Sequence, residues 1–407
     1  MGAIYSLVIR IYGFLIYIAG FFSEKAKLLY KGQRNTLWLA ENSIDKNQPY
    51  IWVHAASLGE FEQGRPLIEA IKKDHPTYKI VLSFFSPSGY EVRKDYALAD
   101  YVCYLPLDTK ANATRFIELI QPVKAIFIKY EFWPNYLQVL RKKGIETYIV
   151  SAIFRKEQIF FSWYGGWYKK LLQCFTHIFV QDTSSFELLQ THGIHRVSIA
   201  GDTRFDRVAT IAASPTQLPI IESFKQDKKL IVLGSSWEPD EALLIPFVEK
   251  NDCKLIIAPH QIHTERIQSL LAKLSMPTAL YTQTTAEDVK HANCLVINTI
   301  GILSSVYRYA DVAYIGGGFG VGIHNILEAA VFGVPVLFGP NYHKFKEAVD
   351  LINEGGAFCI QTQTDIDSIG KNLLTDNAFY QQVCTQSASF VQHRIGATQG
   401  IMDQLFL

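Results

Sequence analysis

The chain has 407 residues, 49% apolar and 13% aromatic, with a formal net charge of +1. That length suggests two domains, and the apolar share excludes global disorder. The balanced charge gives no case for nucleic acid binding, and six scattered cysteines (Cys103, Cys174, Cys253, Cys294, Cys359, Cys384) with no Cys-x-x-Cys pair argue against a metal knuckle or disulfide framework and for a reducing compartment.

The first predicted element is Ala3 to Phe22, AIYSLVIRIYGFLIYIAGFF, apolar apart from Arg10. Its length approaches the roughly 20 residues that cross a bilayer. The arginine and the tyrosines keep a spanning helix and an interfacial one both open, with an ordinary core helix as the bland alternative. Lys25, Lys27, Lys31 and Arg34 follow, and suit the cytoplasmic side and anionic headgroups. A cleaved signal peptide fits poorly, because no basic leader and no small-residue cleavage site are present. Residues 1–24 are therefore expected to form a membrane anchor.

Short apolar runs then alternate with amphipathic stretches. Strands are expected at Tyr50–Val53, Lys79–Ser83, Val123–Ile128, Glu146–Val150 and His177–Val180. A helix is expected from about Glu62, and a turn at Pro87-Ser88-Gly89. A proline-bearing polar stretch, Ser214–Pro219, is the linker candidate. A second series follows at Leu230–Leu233, Lys254–Ala258, Cys294–Ile297, Val312–Ile315 and Val334–Leu337. Buried strands separated by helices mean parallel sheets covered on both faces. The expected class is α/β, two doubly wound domains over residues 25–212 and 220–407, with ligands at the carboxyl ends of the strands in a cleft. The last helix is allowed to cross back to the first domain.

Five constellations fall at such strand ends. His54-Ala-Ala-Ser-Leu-Gly-Glu60 offers Ser57, a turn at Gly59, and Glu60, which is either a general base with a raised pKa or a helix-start carboxylate. Lys129-Tyr-Glu-Phe-Trp-Pro-Asn135 sets a cation, a carboxylate and an aromatic together: Lys129 for an acidic substrate, Glu131 for hydroxyls, Trp133 for stacking on a sugar. The alternative is a Lys–Glu pair with Trp133 as core. Gly234-Ser235-Ser236 follows a strand and could hold a phosphate. His260 directly follows another, and His263 lies three further on, with no wider metal-ligand set in view. The fifth is GGGFGVGIHNILEAA, from Gly316 through Gly317 and Gly318 to Ala330. Its glycines imply close approach of backbone, and its helix start implies free N–H groups for an anion. His324, Asn325 and Glu328 lie at that start, with Asn341 and Lys344 on the same rim. The spacing fits neither the dinucleotide nor the Walker fingerprint.

HAASLGE, SPSG, KYEFWPN, AGDTRFD, GSSWEPDE and GIHNILEAA…GVPVLFGPNYHKF, in that order, resemble the 3-deoxy-D-manno-octulosonic acid (Kdo) transferases of Gram-negative bacteria. The resemblance covers nearly the whole chain. It implies a GT-B fold and metal-independent, inverting transfer of Kdo. The donor would be CMP-Kdo, with no cofactor, and the acceptor a lipid A precursor at the cytoplasmic face of the inner membrane. Carried over, Glu60 is the base, Glu131 the acid before Trp-Pro, and Ser235, His324, Asn325 and Glu328 hold the cytidine nucleotide. Three departures stand out. Pro259-His260-Gln261 replaces the usual Pro-Arg-His, Lys129 stands where an acid is common, and the usual Pro-x-Gly-Gly before His324-Asn325 is absent. The rival readings are a GT-B transferase or epimerase for another nucleotide sugar, and a non-catalytic membrane-attached binding protein.

Overall fold

The structure is a computed structural model that describes residues 2–214 and 216–407. Met1 of the expected anchor and Pro215 of the expected linker lie outside the described residues. The chain divides into two compact units, Met1–Asp206 with Gly396–Leu407, and Arg207–Ile395.

The first unit holds β1 (Tyr50–Ala55), β2 (Lys79–Phe84), β3 (Tyr101–Tyr104), β4 (Pro122–Ile128), β5 (Glu146–Ala152), β6 (His177–Val180) and β7 (Val197–Ile199). All are parallel, in the order β3-β2-β1-β4-β5-β6-β7. Strand β1 is buried along its whole length, as a strand covered on both faces must be. Trp52 at its centre meets Phe116, Phe127 and Tyr136 at ring distances of 5.3, 5.1 and 5.5 Å. The order reverses between β1 and β4, so their outgoing loops diverge to opposite faces and leave a crevice.

The second unit repeats the plan with β8 (Lys229–Ser236), β9 (Cys253–Pro259), β10 (Thr278–Leu280), β11 (Cys294–Val296), β12 (Val312–Ile315), β13 (Val336–Phe338) and β14 (Ala357–Cys359). Their order is β10-β11-β9-β8-β12-β13-β14. The reversal here lies between β8 and β12.

Among the described non-glycine residues with positive φ, Lys129 (φ 66°) after β4 and Ser235 (φ 53°) in β8 stand one at each reversal, while Gln121, Ser151 and Gln226 lie elsewhere. Such conformations cost about 1–2 kcal/mol and persist only where the surroundings fix them.

Two N-terminal helices pack on the first unit: α1 (Gly2–Ala19) and α2 (Glu24–Ser43). Helix α2 covers the edge strand β3. The Thr36 hydroxyl donates to the Tyr104 carbonyl at 2.8 Å, and a Cβ on Gly32 would fall 2.1 Å from the Tyr104 ring, so only glycine allows this approach. Helix α1 buries Ile9 and Ile16 and leaves Leu7 (59% exposed), Phe14 (61%) and the following Phe22 (86%) facing out. Among the described residues no helix is long and apolar enough to cross a membrane.

The last helix, Ala397–Leu405, lies on the first unit. Asp206 ties it down: Oδ1 accepts the Gly396 N–H at 2.6 Å, and Oδ2 accepts the Thr398 N–H and hydroxyl, each at 2.7 Å. A carboxylate suits this helix start twice over, as hydrogen-bond acceptor and as counter-charge to the dipole.

Asp108, 1% exposed, joins α1 to the start of the helix Pro134–Lys142. It accepts the Tyr5 hydroxyl at 2.7 Å and the Asn135 and Tyr136 N–H groups, each at 3.2 Å. Asp108→Ala strands these donors and should cost about 2–4 kcal/mol. Calorimetry should show the melting temperature of the first unit falling by roughly 5–10 °C; an unchanged transition would show the contact to be energetically idle.

Candidate active site

Two groups of side chains gather at the two reversal points. In the first unit, α3 (Leu58–Asp74) begins directly after β1. It starts four residues earlier than the sequence suggested, because Ser57 caps it: Ser57 Oγ accepts the Glu60 N–H at 3.5 Å. Gly59 is consequently inside the first helical turn, not in a separate turn. A Cβ there would meet no atom within 4 Å, so this glycine leaves open space beside Glu60.

Glu60 folds back, and Oε2 accepts the Ala56 N–H at 2.6 Å. The helix-start reading is therefore correct as geometry, a Ser-x-x-Glu capping arrangement. Its chemistry is unusual for a cap. Burial first, and the charge of Glu131 second, raise its pKa to about 7, against the pull of the Ala56 N–H, Lys129 and the Ser57 N–H. A carboxyl poised there can exchange a proton near neutral pH.

Glu131 is buried, 8% exposed. Its Oε2 accepts the Trp133 indole N–H at 2.6 Å and lies 3.0 Å from His54 Nε2. The charge of Lys129 acts on Glu60 and lowers its pKa. Trp133 is half-buried, packed on Phe85 at 4.9 Å and on His54 at 6.2 Å. Phe85 in turn stacks on Tyr12 of α1 at 6.3 Å. The structure thus brings Ser57, Glu60, Lys129, Glu131 and Trp133 to one crevice. His54 was missed: it sits in the quoted motif, but a lone histidine inside a strand gave no signal of its own.

In the second unit the glycine loop differs from expectation. Its N–H groups are largely committed. Gly316 N–H donates to the Gly234 carbonyl (2.9 Å), Gly317 N–H to Asp240 Oδ2 (3.1 Å), and Gly320 N–H to the Gly317 carbonyl (2.9 Å). The glycines serve close packing instead. A Cβ on Gly316 would stand 2.4 Å from the Ser235 carbonyl oxygen, one on Gly318 2.5 Å from Gly339 backbone, and one on Gly234 1.7 Å from the Tyr307 hydroxyl. The helix after the loop is one turn, Leu327–Ala330, so its dipole is slight. Gly333, at φ 70°, and Pro335 two residues on stop it.

Ser236 is a further correction. It is buried, and its hydroxyl is turned inward, donating to Glu241 at 2.7 Å. Ser235 is half-buried beside it. His260 is exposed and stacked between Trp237 (4.8 Å) and His324 (4.6 Å), each inclined by 27°. Burial, and then His260, lower the His324 pKa to about 4, so His324 is neutral at pH 7 and acts as a neutral donor or acceptor. Asn325 Nδ2 donates to Glu328 Oε1 at 3.0 Å, which joins those two expected residues. Lys344 stands exposed on the loop after β13, whose Asn341 donates to the Gly320 carbonyl at 2.7 Å. Trp237 and Asp240 were missed, although both lie in the quoted GSSWEPDE. Asp240 Oδ2 accepts from Trp237 N–H (2.9 Å) as well as Gly317, a link no spacing rule reveals. Among the described residues no group of three or more His, Cys, Asp or Glu side chains is arranged to hold a metal ion.

Two parallel seven-stranded sheets with loops gathered at each reversal are the GT-B-like plan. A solved UDP-GlcNAc 2-epimerase from Neisseria meningitidis, bound to UDP-GlcNAc, shares it with a TM-score of 0.59 at 15% identity, over 88% of this chain and 99% of that one. The chain is an enzyme of the glycosyltransferase class. Residues 31–207 match the family described as 3-deoxy-D-manno-octulosonic-acid transferase (kdotransferase). Curated relatives named 3-deoxy-D-manno-octulosonic acid transferase include one from Aquifex aeolicus, 28% identical over 336 residues (80% of this chain, 86% of that one). Another, from Bordetella pertussis, is 26% identical over 376 residues (87% and 86%). The chain is a relative of the Kdo transferases along most of its length.

Two outcomes follow from the geometry. Glu60 holds its proton up to about pH 7, so the base form, and with it kcat/KM, should rise with pH through that value and fall about tenfold per unit below it; a flat profile from pH 5 to 8 would exclude Glu60 as the base. Gly316→Ala forces a Cβ onto the Ser235 carbonyl and should cost about 1–3 kcal/mol, whereas Gly320→Ala, whose Cβ would lie 3.6 Å from its nearest neighbour, should change the melting temperature little.

Proposed function

We propose that the protein transfers Kdo from CMP-Kdo to a lipid A precursor by metal-independent inverting displacement, an early step of lipopolysaccharide inner-core synthesis. The observation that carries this reading is Glu60, a carboxyl with its pKa at about 7 in the crevice beside β1, in a chain related to Kdo transferases. Glu60 takes the proton of the acceptor hydroxyl as that oxygen bonds to the anomeric carbon of Kdo. The bond from that carbon to the phosphate oxygen breaks, and CMP leaves with the electron pair. Lys129 faces the acidic sugar, and Trp133 supplies an apolar wall. The second unit binds the cytidine nucleotide through Ser235, His260, His324 and the Asn325–Glu328 pair, with the His260 stack replacing the family's arginine.

The acceptor's lipid character fits α1. Its exposed Leu7, Phe14 and Leu15 give an apolar face suited to lying in a bilayer interface, with Lys25, Lys27, Lys31 and Arg34 beside anionic headgroups. In this reading the apolar face and the basic collar hold the enzyme at the cytoplasmic face of the inner membrane. The Tyr12–Phe85–Trp133 run connects that helix to the crevice.

The test is a transfer assay in detergent with CMP-Kdo made in situ and a tetraacylated lipid A precursor, read by mass spectrometry in the presence of EDTA. The expected result is addition of Kdo to the lipid. Glu60→Gln should lower turnover roughly 100-fold or more while CMP binding by calorimetry stays unchanged. A folded protein that binds CMP and transfers nothing would refute the reading.

A further inference from the structure

His54 is fully buried in the middle of the sheet, and its two ring nitrogens face different partners. Nδ1 lies 2.8 Å from the Ser83 hydroxyl and 3.1 Å from the Ser83 carbonyl. Nε2 lies 3.0 Å from Glu131 Oε2. The Ser83 hydroxyl also accepts the Trp52 indole N–H at 2.8 Å. The Trp133 indole N–H also lies 3.1 Å from Nε2, but a bare Nε2 would set its lone pair against Glu131 Oε2 at 3.0 Å, so the hydrogen belongs on Nε2. An ionised carboxylate only accepts, so Nε2 carries the hydrogen and donates to Glu131. Nδ1, which carries no hydrogen in this assignment, accepts from the Ser83 hydroxyl, which takes the Trp52 N–H on its other side. Trp133 supplies the second donor to the same Glu131 oxygen, at 2.6 Å.

We propose that His54 is a positioning residue that fixes the Glu131 carboxylate through a single tautomer imposed by Ser83. The chain Trp52–Ser83–His54–Glu131 runs from the core to the crevice, and all of it up to Ser83 and His54 is 0% exposed. Burial makes each member depend on the next, because an unpartnered polar group there is costly. Glu60 feels the result. The groups that face it are Glu131, Lys129 and Tyr130 after β4, with the N–H groups of Ala56 and Ser57. The groups that face Glu131 are His54 from β1 and Trp133 from its own loop, with Glu60 across the crevice. The negative charge that His54 holds in place is the second cause of the raised Glu60 value, so moving it must move Glu60's titration.

The two ends of imidazole can be removed separately. His54→Gln keeps an N–H donor near Nε2 and loses the Nδ1 side. His54→Asn keeps a group near Nδ1 and loses the donor to Glu131. Ser83→Ala leaves only the backbone carbonyl facing Nδ1; a carbonyl accepts, so the hydrogen moves to Nδ1 and Nε2 can no longer donate. Ser83→Thr restores the hydroxyl. The readout is the protonation midpoint of Glu60, followed by infrared titration of its carboxyl band and assigned by subtraction of Glu60→Gln. His54→Asn and Ser83→Ala should both lower that midpoint by at least half a pH unit. His54→Gln and Ser83→Thr should leave it in place. An unmoved or raised midpoint in His54→Asn overturns the positioning role, and an unmoved one in Ser83→Ala overturns the tautomer assignment. Should one of the two fail to fold by circular dichroism, the other still decides. The acid limb of the transfer rate should shift by the same amount; that second readout rests on Glu60 being the transfer base. A midpoint that shifts in a protein without transfer would leave His54's role standing and remove the Kdo reading alone.

Discussion

In each unit, loops that leave in opposite directions from a central pair of parallel strands create the crevice that everything else uses. Between β1 and β4, and again between β8 and β12, the strand order reverses. The loops on either side cannot cover one another there, so polar side chains at those strand ends stay reachable while the strands themselves remain buried. Glu60 and Glu131 occupy one such point, Ser235 and the glycine loop the other. The left-handed residues Lys129 and Ser235 stand in the same two places. Backbone strain of this kind is held by the rigid sheet on one side, and it aims the following residues into the crevice.

The two crevices solve different electrostatic problems. The first concentrates charge where water is scarce. Glu60 and Glu131 are both acidic, and desolvation with mutual repulsion leaves Glu60 titrating near neutrality. At this helix start the capping contact orients the Glu60 carboxyl, and burial raises its pKa. The cost of ionising it is offset only in part by Lys129 and two backbone donors.

Much of the fold was legible because its central strands are continuous apolar runs. Each strand expected from the sequence exists, most within a residue or two of its bounds. The four that went unseen are β3, β7, β10 and β14, which are the four sheet edges. They are three or four residues long and only partly buried, so they carry neither the length nor the apolar continuity that marks a strand. The site was legible to the extent that its residues follow strands directly. What stayed hidden was assembled through space. His54 draws its meaning from Ser83 and Glu131, 29 and 77 positions away. Asp240 draws its own from Gly317, 77 positions on. Ser236 looked like a ligand group for the converse reason, since only its contact with Glu241 shows it turned inward.

The glycine loop shows why composition alone misdirects. A dense cluster of glycines after a strand suggested free N–H groups cradling an anion. In this fold the entropy of those glycines is given up so that backbone can lie against backbone, Gly316 on Ser235 and Gly318 on Gly339. With Gly316 and Gly317 N–H already bonded, a one-turn helix behind them and a neutral His324 beside them, positive charge in this crevice is sparse. What the second unit offers instead is a flat stack of Trp237, His260 and His324 with neutral hydrogen-bonding groups around it. Stacking of this sort rewards a planar ring and is indifferent to charge. His260 is the middle member of that stack, with Trp237 on one side and His324 on the other.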